Sequence, residues 1–202
     1  MKKYLMVLAL MAAVGGIGIA KANTVDFSQF GPGGTSLGPT ITGFTTGGVG
    51  VTLTSPNGGF QVLYQDTGWN GTFPSGTPVL YDGEGSGPVD LSFATGISSL
   101  TLAGEANLYG PYTETAQAYS GATLIDTVFA SSFSADNPGT VPFLTVSGTD
   151  ITSVVFSVTN DDEGLGLSGG SGITTTPEPG SLVLLGSGLL GLIGAVRRKM
   201  AL

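Results

Sequence analysis

Carboxylates dominate the ionisable side chains in the long middle region of this chain. Of the 14 Asp and Glu residues, all except Glu178 lie between Asn23 and Thr176, and all 6 Lys and Arg residues lie outside that range. The densest group is Asp161-Asp162-Glu163, three adjacent carboxylates whose oxygens suit Ca²⁺. The sequence predicts a calcium site there, with a solvated acidic loop as the alternative. A second candidate for calcium is Asp82-Gly83-Glu84.

Aromatic residues form another candidate site. Tyr64, Trp69 and Tyr81, together with Phe73, lie around the loop that is richest in Gly and Pro. Rings that stack on the apolar faces of sugars, beside groups that bond to sugar hydroxyls, are typical of carbohydrate binding. Tyr64, Trp69 and Tyr81 are therefore candidate ligand-binding residues. The alternative is that these rings belong to the core, because aromatic side chains are mostly buried.

The missing residue types exclude several kinds of chemistry from the middle region. The chain has no His and no Cys, and this region has no Lys or Arg. It therefore has no nucleophile, general base or zinc site of those types, and no cation for nucleic-acid backbones. A carboxylate pair can hydrolyse glycosides, but no motif singles out one pair. We predict no catalytic residue and no enzyme activity, with a glycoside hydrolase or lyase as an alternative.

The elements that must position these candidates are short strands. Leu100 and Leu102 alternate with polar neighbours, and residues 151–159 show the same period of two. The predicted strands are 24–30, 49–54, 60–64, 89–94, 97–103, 112–119, 122–130, 141–146 and 151–159. Clusters of Gly, Pro, Asn and Asp separate such segments, and no helical period is sustained between the ends of the chain. We predict an all-β antiparallel sandwich or jelly roll over residues 23–168, here called the passenger. A Gly/Ser/Thr linker follows at 169–176.

The first 22 residues have the pattern of a secretory signal peptide. Lys2 and Lys3 precede an apolar stretch, and Ala20 and Ala22 supply the small residues that signal peptidase requires. Cleavage would leave Asn23 as the first residue of the mature chain. That chain has a formal charge of +3 − 14 = −11. The alternatives are an N-terminal membrane anchor and a buried helix.

The C-terminal segment at 177–202 has three parts in order. Pro177-Glu178-Pro179 comes first, an uncharged apolar stretch occupies 181–196, and Arg197-Arg198-Lys199 follows. A helix over that stretch would span about 24 Å, and snorkelling arginines narrow the gap to the ~30 Å hydrocarbon core. The basic cluster favours a cytoplasmic C-terminus with the passenger outside. We predict a transmembrane helix at 181–196.

In this order the three parts resemble the PEP-CTERM sorting signal of Gram-negative bacteria. The resemblance implies export, anchoring in the inner membrane, and processing by an exosortase, a membrane-embedded enzyme. The protein would then reach the cell surface or the extracellular space. The resemblance also implies a link with exopolysaccharide and biofilm.

The second half of the passenger resembles, more loosely, the β-sandwich passengers common in such proteins. Residues 118–125 are similar to a hairpin of that family, and residues 143–154 are similar to strands that close the sandwich. We expect a secreted protein of the cell envelope or extracellular matrix with a structural or adhesive role. The alternative is a carbohydrate-binding module. Expected partners are signal peptidase, exosortase, the membrane and exopolysaccharide, but not nucleic acid.

Overall fold

The computed structural model of the chain describes residues 23–169. Within that range it contains strands and one 3₁₀-helix, so the all-β class predicted from the sequence is confirmed. No helix in this part of the chain is long and apolar enough to cross a bilayer. The predicted signal peptide, transmembrane helix and sorting segment lie outside the described residues, as does the linker after position 169.

The elements follow one another in chain order with short connections. The 3₁₀-helix comes first, and the strands after it are numbered from β1 to β10. Their bounds are Phe27–Phe30 for the helix, then β1 Thr40–Phe44, β2 Gly50–Thr54, β3 Gln61–Gln65, β4 Gly68–Trp69, β5 Pro78–Tyr81, β6 Val89–Ala106, β7 Gly110–Ser120, β8 Thr123–Ser134, β9 Leu144–Val158 and β10 Leu165–Ser168.

Hydrogen bonds join these strands into one open, mixed sheet, where the sequence predicts an antiparallel sandwich or jelly roll. The order is β4-β3-β5-β10-β6-β9-β7-β8, with β2 on β6 and β1 on β2. The pair β3–β4 is parallel. The sheet has two halves, one with β3, β4, β5 and β10 and one with β1, β2, β7, β8 and β9. It is continuous because β6, which is 18 residues long, pairs with strands of both halves. Its first part pairs with β2 and β9, whereas Ala103 to Ala106 pair with β10.

The two halves of the sheet bury apolar side chains in a common core. Its members include Leu53 from β2, Phe156 from β9 and Leu167 from β10. A smaller apolar cluster contains Trp69, Phe73, Val79, Ala103 and Val141. Neighbouring residues of a strand point to opposite faces, and Val79 and Leu80 of β5 belong to different clusters. The small cluster therefore lies on the opposite face of β5 from the main core.

The hairpin implied by the family resemblance at residues 118–125 is present. Ser120 at the end of β7 pairs with Thr123 at the start of β8, across a loop of two residues. Gly121 in that loop has φ 58°, a left-handed conformation that two-residue hairpin turns require. A register shift between Ala118 and Tyr119 marks a bulge beside the turn.

Candidate functional site

A surface cleft of about 270 Å³ lies beside the small apolar cluster. It is formed by β3, β4 and β5 together with the segments that follow β4 and β6. The side chains that line it are uncharged, and three of them are amides. The lining residues are Gln61, Leu63, Gly68, Trp69, Asn70, Tyr81, Asn107 and Tyr109.

Strand pairing explains why the lining side chains meet. β3 and β5 are antiparallel, with Gln61 opposite Tyr81. The chain turns at Asp66, which has φ 69°, and at Gly68, which has φ 101°, so that β4 lies alongside β3. The ring of Trp69 then lies 5.7 Å from the ring of Tyr81, at an interplanar angle of 50°. Both rings line the cleft.

A buried carboxylate fixes Trp69 and the loop after it. The Trp69 indole Nε1 donates a hydrogen bond to Glu105 Oε2 at 3.2 Å. The backbone N of Thr72 donates to both Glu105 oxygens at 2.8 Å. Glu105 is fully buried, and Trp69 is only 3% exposed. The carboxylate therefore anchors residues 69–72 to β6, although the sequence analysis did not single it out.

Replacing Glu105 with Ala is expected to lower the free energy of unfolding by about 2–4 kcal/mol. The substitution leaves the buried Trp69 N–H and the partly buried Thr72 N–H without their acceptor, which costs about 1–3 kcal/mol for a buried group and less for one that water can reach. Urea denaturation followed by the emission of Trp69 measures the change. Glu84→Ala is the matched control because Glu84 is an exposed loop residue. Equal stability of the two variants would contradict the anchoring role.

Two tyrosine rings line the cleft, and a hydrogen bond fixes the hydroxyl group of each. The Tyr81 hydroxyl donates to the backbone O of Glu163 at 2.8 Å, and Asn107 Nδ2 donates to the same oxygen at 3.0 Å. The Tyr109 hydroxyl donates to the backbone O of Asn70 at 2.9 Å. Tyr109 is 53% exposed. Both rings are thus fixed in orientation while part of their surface stays in contact with solvent.

The cleft lies in a negative electrostatic field. The pKa of Tyr81 is raised by burial first, and then by the charges of Glu84, Asp82 and Glu163. The pKa of Tyr109 is raised by burial and by the charges of Asp136 and Glu105. A negative field opposes ionisation of a phenol, because ionisation adds a second negative charge. The same field repels an anionic ligand.

The structure brings together two of the three aromatic residues predicted as a ligand site. Trp69 and Tyr81 both line the cleft. Tyr64 instead packs against the main core, whereas its neighbour Leu63 lines the cleft. The reason is the alternation of side chains along β3, which places residues 63 and 64 on opposite faces. Tyr109, which sequence reasoning missed, supplies the exposed ring.

The carboxylates predicted as a calcium site hold two loops together. Asp161 Oδ2 accepts a hydrogen bond from the Gly87 N at 3.1 Å, and Asp162 Oδ1 accepts one from Ser86 Oγ at 2.9 Å. Glu163 contributes its backbone O to Tyr81 and Asn107. Within residues 23–169, no three Asp or Glu side chains come together as ligands for a metal ion. The calcium site stays a prediction.

Asp82, from the second acidic candidate, is fully buried beside these loops. Its Oδ1 accepts a hydrogen bond from the Leu165 N at 2.8 Å, and its Oδ2 accepts one from Asn57 Nδ2 at 3.1 Å. Burial raises the pKa of Asp82 to about 6, although these hydrogen bonds partly oppose the increase. Asp82 therefore joins the loop after β2, the loop after β5 and the start of β10.

Glu114 on β7 is the third fully buried carboxyl group. Its Oε2 accepts a hydrogen bond from the Gly104 N at 2.9 Å. Its Oε1 has no hydrogen-bond partner among the described residues, and neither has the hydroxyl of Tyr112. Burial raises the pKa of Glu114 to about 8. The group is therefore mostly protonated at neutral pH, which removes the cost of a buried, unpaired charge.

Comparison with known proteins decides what the C-terminal segment is. The family model of the PEP-CTERM protein-sorting motif matches residues 175–199. The chain carries a PEP-CTERM sorting motif. The match includes Pro177-Glu178-Pro179, the apolar stretch and the basic cluster, so the resemblance identified from these residues is confirmed. The motif marks an exported protein that an exosortase processes.

Other comparisons add little to the sorting motif. No curated protein matches the sequence of this chain. Among solved structures, a DUF4465 family protein from Bacteroides caccae is similar, with 11% identity. The similarity covers 74% of this chain and 97% of that chain, with a TM-score of 0.43. A similarity at this level supports no conclusion about the function of the passenger.

Proposed function

We propose that this PEP-CTERM protein is a non-catalytic component of the cell envelope or extracellular matrix. Its role is structural or adhesive and is linked to exopolysaccharide or biofilm. The observation that carries the proposal is the sorting motif at residues 175–199. The motif indicates a destination outside the cytoplasm, where surface polymers are available as partners.

The use of buried carboxylates supports a role without catalysis. Asp82, Glu105 and Glu114 are fully buried, and each accepts hydrogen bonds from backbone N–H groups. These three groups therefore hold loops and strands together. The remaining carboxylates give the passenger a strongly negative charge, which favours a protein that stays dispersed outside the cell.

The proposed route begins at the N-terminus. Signal peptidase cuts after Ala22, and export proceeds until the apolar stretch at 181–196 enters the inner membrane. Arg197, Arg198 and Lys199 resist transfer and stay on the cytoplasmic side. The passenger is then outside, anchored by one helix. Exosortase acts on Pro177-Glu178-Pro179, and the processed passenger reaches the cell surface or the medium.

The Glu178→Ala variant tests this proposal. Pro177 and Pro179 favour an extended segment in the sequence, since proline removes backbone donors and disfavours helix in the residue before it. Glu178 is then accessible to a processing enzyme at the membrane surface. In a host that contains an exosortase, Glu178→Ala is expected to accumulate as unprocessed protein in the inner membrane. Immunoblots of cell fractions measure the distribution.

The matched control is Glu163→Ala, which removes an exposed Glu from the passenger. This variant is expected to be processed like the wild type. Processing of Glu178→Ala at the wild-type rate would show that the motif is not the substrate of the enzyme, and the proposed route would fail.

A further inference from the structure

We propose that the cleft beside Trp69 binds an uncharged carbohydrate, with Tyr81 and Tyr109 as stacking platforms and Gln61, Asn70 and Asn107 as hydroxyl-binding groups. The inference rests on the proposed adhesive function and names the class of ligand for it. A sugar unit within a neutral polysaccharide fits this chemistry best.

The first argument is the presentation of the two tyrosine rings. Each hydroxyl donates to a backbone oxygen, Tyr81 to Glu163 and Tyr109 to Asn70. These bonds restrict the rotation of the rings before any ligand arrives, so binding costs less conformational entropy. The faces of such rings suit the apolar C–H faces of sugars, and their polar ends are already satisfied.

The second argument is the set of unused amide groups. The side chains of Gln61 and Asn70 make no hydrogen bond within residues 23–169, although both line the cleft. Asn107 uses its Nδ2 on Glu163 and keeps its Oδ1 as an acceptor. An amide offers both donors and an acceptor, and a sugar hydroxyl is likewise both donor and acceptor. The cleft therefore matches a ligand that is rich in hydroxyl groups.

The third argument is electrostatic. The side chains that line the cleft include no charged group. Carboxylates lie near two of the lining residues, since the charges of Glu84 and Asp82 act on Tyr81 and that of Asp136 acts on Tyr109. An anionic sugar, such as a uronate or a sulfated unit, would be repelled and would find no cation. The field therefore selects neutral sugars.

The fourth argument is size. The volume of about 270 Å³ is slightly below the range of about 300–1,000 Å³ typical of pockets that enclose a whole small molecule. A site of this volume is too small to enclose a long oligosaccharide, so most of a polymer stays outside it. Such a site suits attachment to a polysaccharide, because attachment requires contact with part of the polymer and does not require an enclosed cavity.

Trp69 provides a direct probe. It is the only tryptophan of the chain and it lines the cleft. Full-length protein, purified in a detergent without a sugar headgroup, is titrated with oligosaccharides of a β-glucan, dextran, a galactan and a mannan. At least one neutral saccharide is expected to change the Trp69 emission in a saturable manner. Polygalacturonate, an anionic polymer, is expected to cause no saturable change.

Variants assign the binding to the cleft. Tyr109→Ala is expected to bind about tenfold more weakly, because a stacking platform is lost. Tyr109→Phe keeps the ring and is expected to retain most of the affinity. Phe44→Ala is the matched control because Phe44 on β1 is 64% exposed and does not line the cleft. Its affinity is expected to equal that of the wild type.

Three results would overturn the inference. They are the absence of a saturable change with every neutral saccharide, saturable binding of polygalacturonate, and unchanged affinity in Tyr109→Ala. The titration does not depend on processing of the tail. A failed titration beside a sorting defect in Glu178→Ala would reject the ligand class alone. Normal processing of Glu178→Ala would reject the sorting route and leave the sugar site standing.

Discussion

Glu114→Gln is expected to stabilise the protein strongly in alkaline solution and to have little effect in acid. Glu114 is fully buried on β7, and its Oε1 lacks a hydrogen-bond partner among the described residues. Above its folded pKa the carboxyl must carry a charge that nothing neutralises. Gln has the same shape, keeps an oxygen for the Gly104 N–H group and carries no charge, so the penalty disappears.

The sign follows from the pKa difference between the folded and unfolded states. The folded pKa of Glu114 is about 8, raised from the ordinary value of 4.5. Between these values the folded state binds more protons than the unfolded state, so stability falls as pH rises. The stabilisation is complete below pH 4.5 and is lost as pH passes through about 8. The total loss is on the order of 5 kcal/mol.

Equilibrium denaturation from acid to alkaline pH measures this effect. Asp82, with a folded pKa of about 6 against an ordinary value of 3.8, adds a loss of the same sign at lower pH. Glu84→Gln is the matched control because Glu84 is exposed. It is expected to follow the wild type closely. A wild-type stability that stays constant from about pH 6 to 9, or a Glu114→Gln curve that follows it, would contradict a buried carboxyl with a raised pKa.

In a host without an exosortase, removal of residues 177–202 is expected to transfer nearly all of the passenger from the membrane to the periplasm or medium. The stretch at 181–196 contains no charged residue, so a bilayer is the environment that covers an apolar helix of this kind. Without the stretch, export has no stop signal and the passenger passes through completely. Cell fractionation with immunoblotting measures the distribution.

A second variant separates anchoring from orientation. Replacing Arg197, Arg198 and Lys199 with Gln keeps the apolar stretch but removes the charges that resist transfer. This variant is expected to remain associated with the membrane but to lose the fixed cytoplasmic position of its tail. Truncated protein that stays in the membrane fraction, or that aggregates, would show that the tail is part of the folded passenger and not a sorting device.

Local signals in the sequence predicted the strands well but their ends poorly. The alternation at 89–94 and 97–103 predicted two strands, and the structure joins them into β6 through register shifts near Ile97. Residues 141–146 and 151–159 likewise merge into β9, although Asp150 has φ 61°. The Gly and Asp residues between these two segments usually indicate a turn. Long-range pairing with β6 nevertheless keeps both segments in one strand.

One predicted strand is not a strand. Residues 24–30 alternate polar and apolar types, yet Phe27–Phe30 form a 3₁₀-helix. Asp26 caps it, since its Oδ1 accepts a hydrogen bond from the Ser28 N at 3.0 Å. A capping side chain with a Gly five residues later, here Asp26 and Gly31, is a short-range signal that competes with the period of two, and here it prevails.

The candidate site depended on contacts that no local pattern reveals. Glu105 binds Trp69, which is 36 residues away in the sequence. In the sequence, the only sign of this role is that Glu105 is a lone carboxylate in an apolar stretch. Its partners reach it only through the pairing of distant strands. Tyr64 lies on the core face of β3, and a shift of one residue along a strand exchanges its faces. The sequence pattern thus located the loop around Trp69 but not the exposed ring of the cleft, Tyr109, which lies in the segment after β6.

Intact-mass measurement with terminal peptide mapping, made on passenger recovered from outside the cytoplasm of an exosortase-containing host, tests the central claim most directly. The chain is expected to begin at Asn23 and to end before Ser181, so that both the signal peptide and the basic C-terminus are gone. A protein that retains Met1, or that still carries residues 181–202 as its main form, would contradict the account of an exported and exosortase-processed passenger.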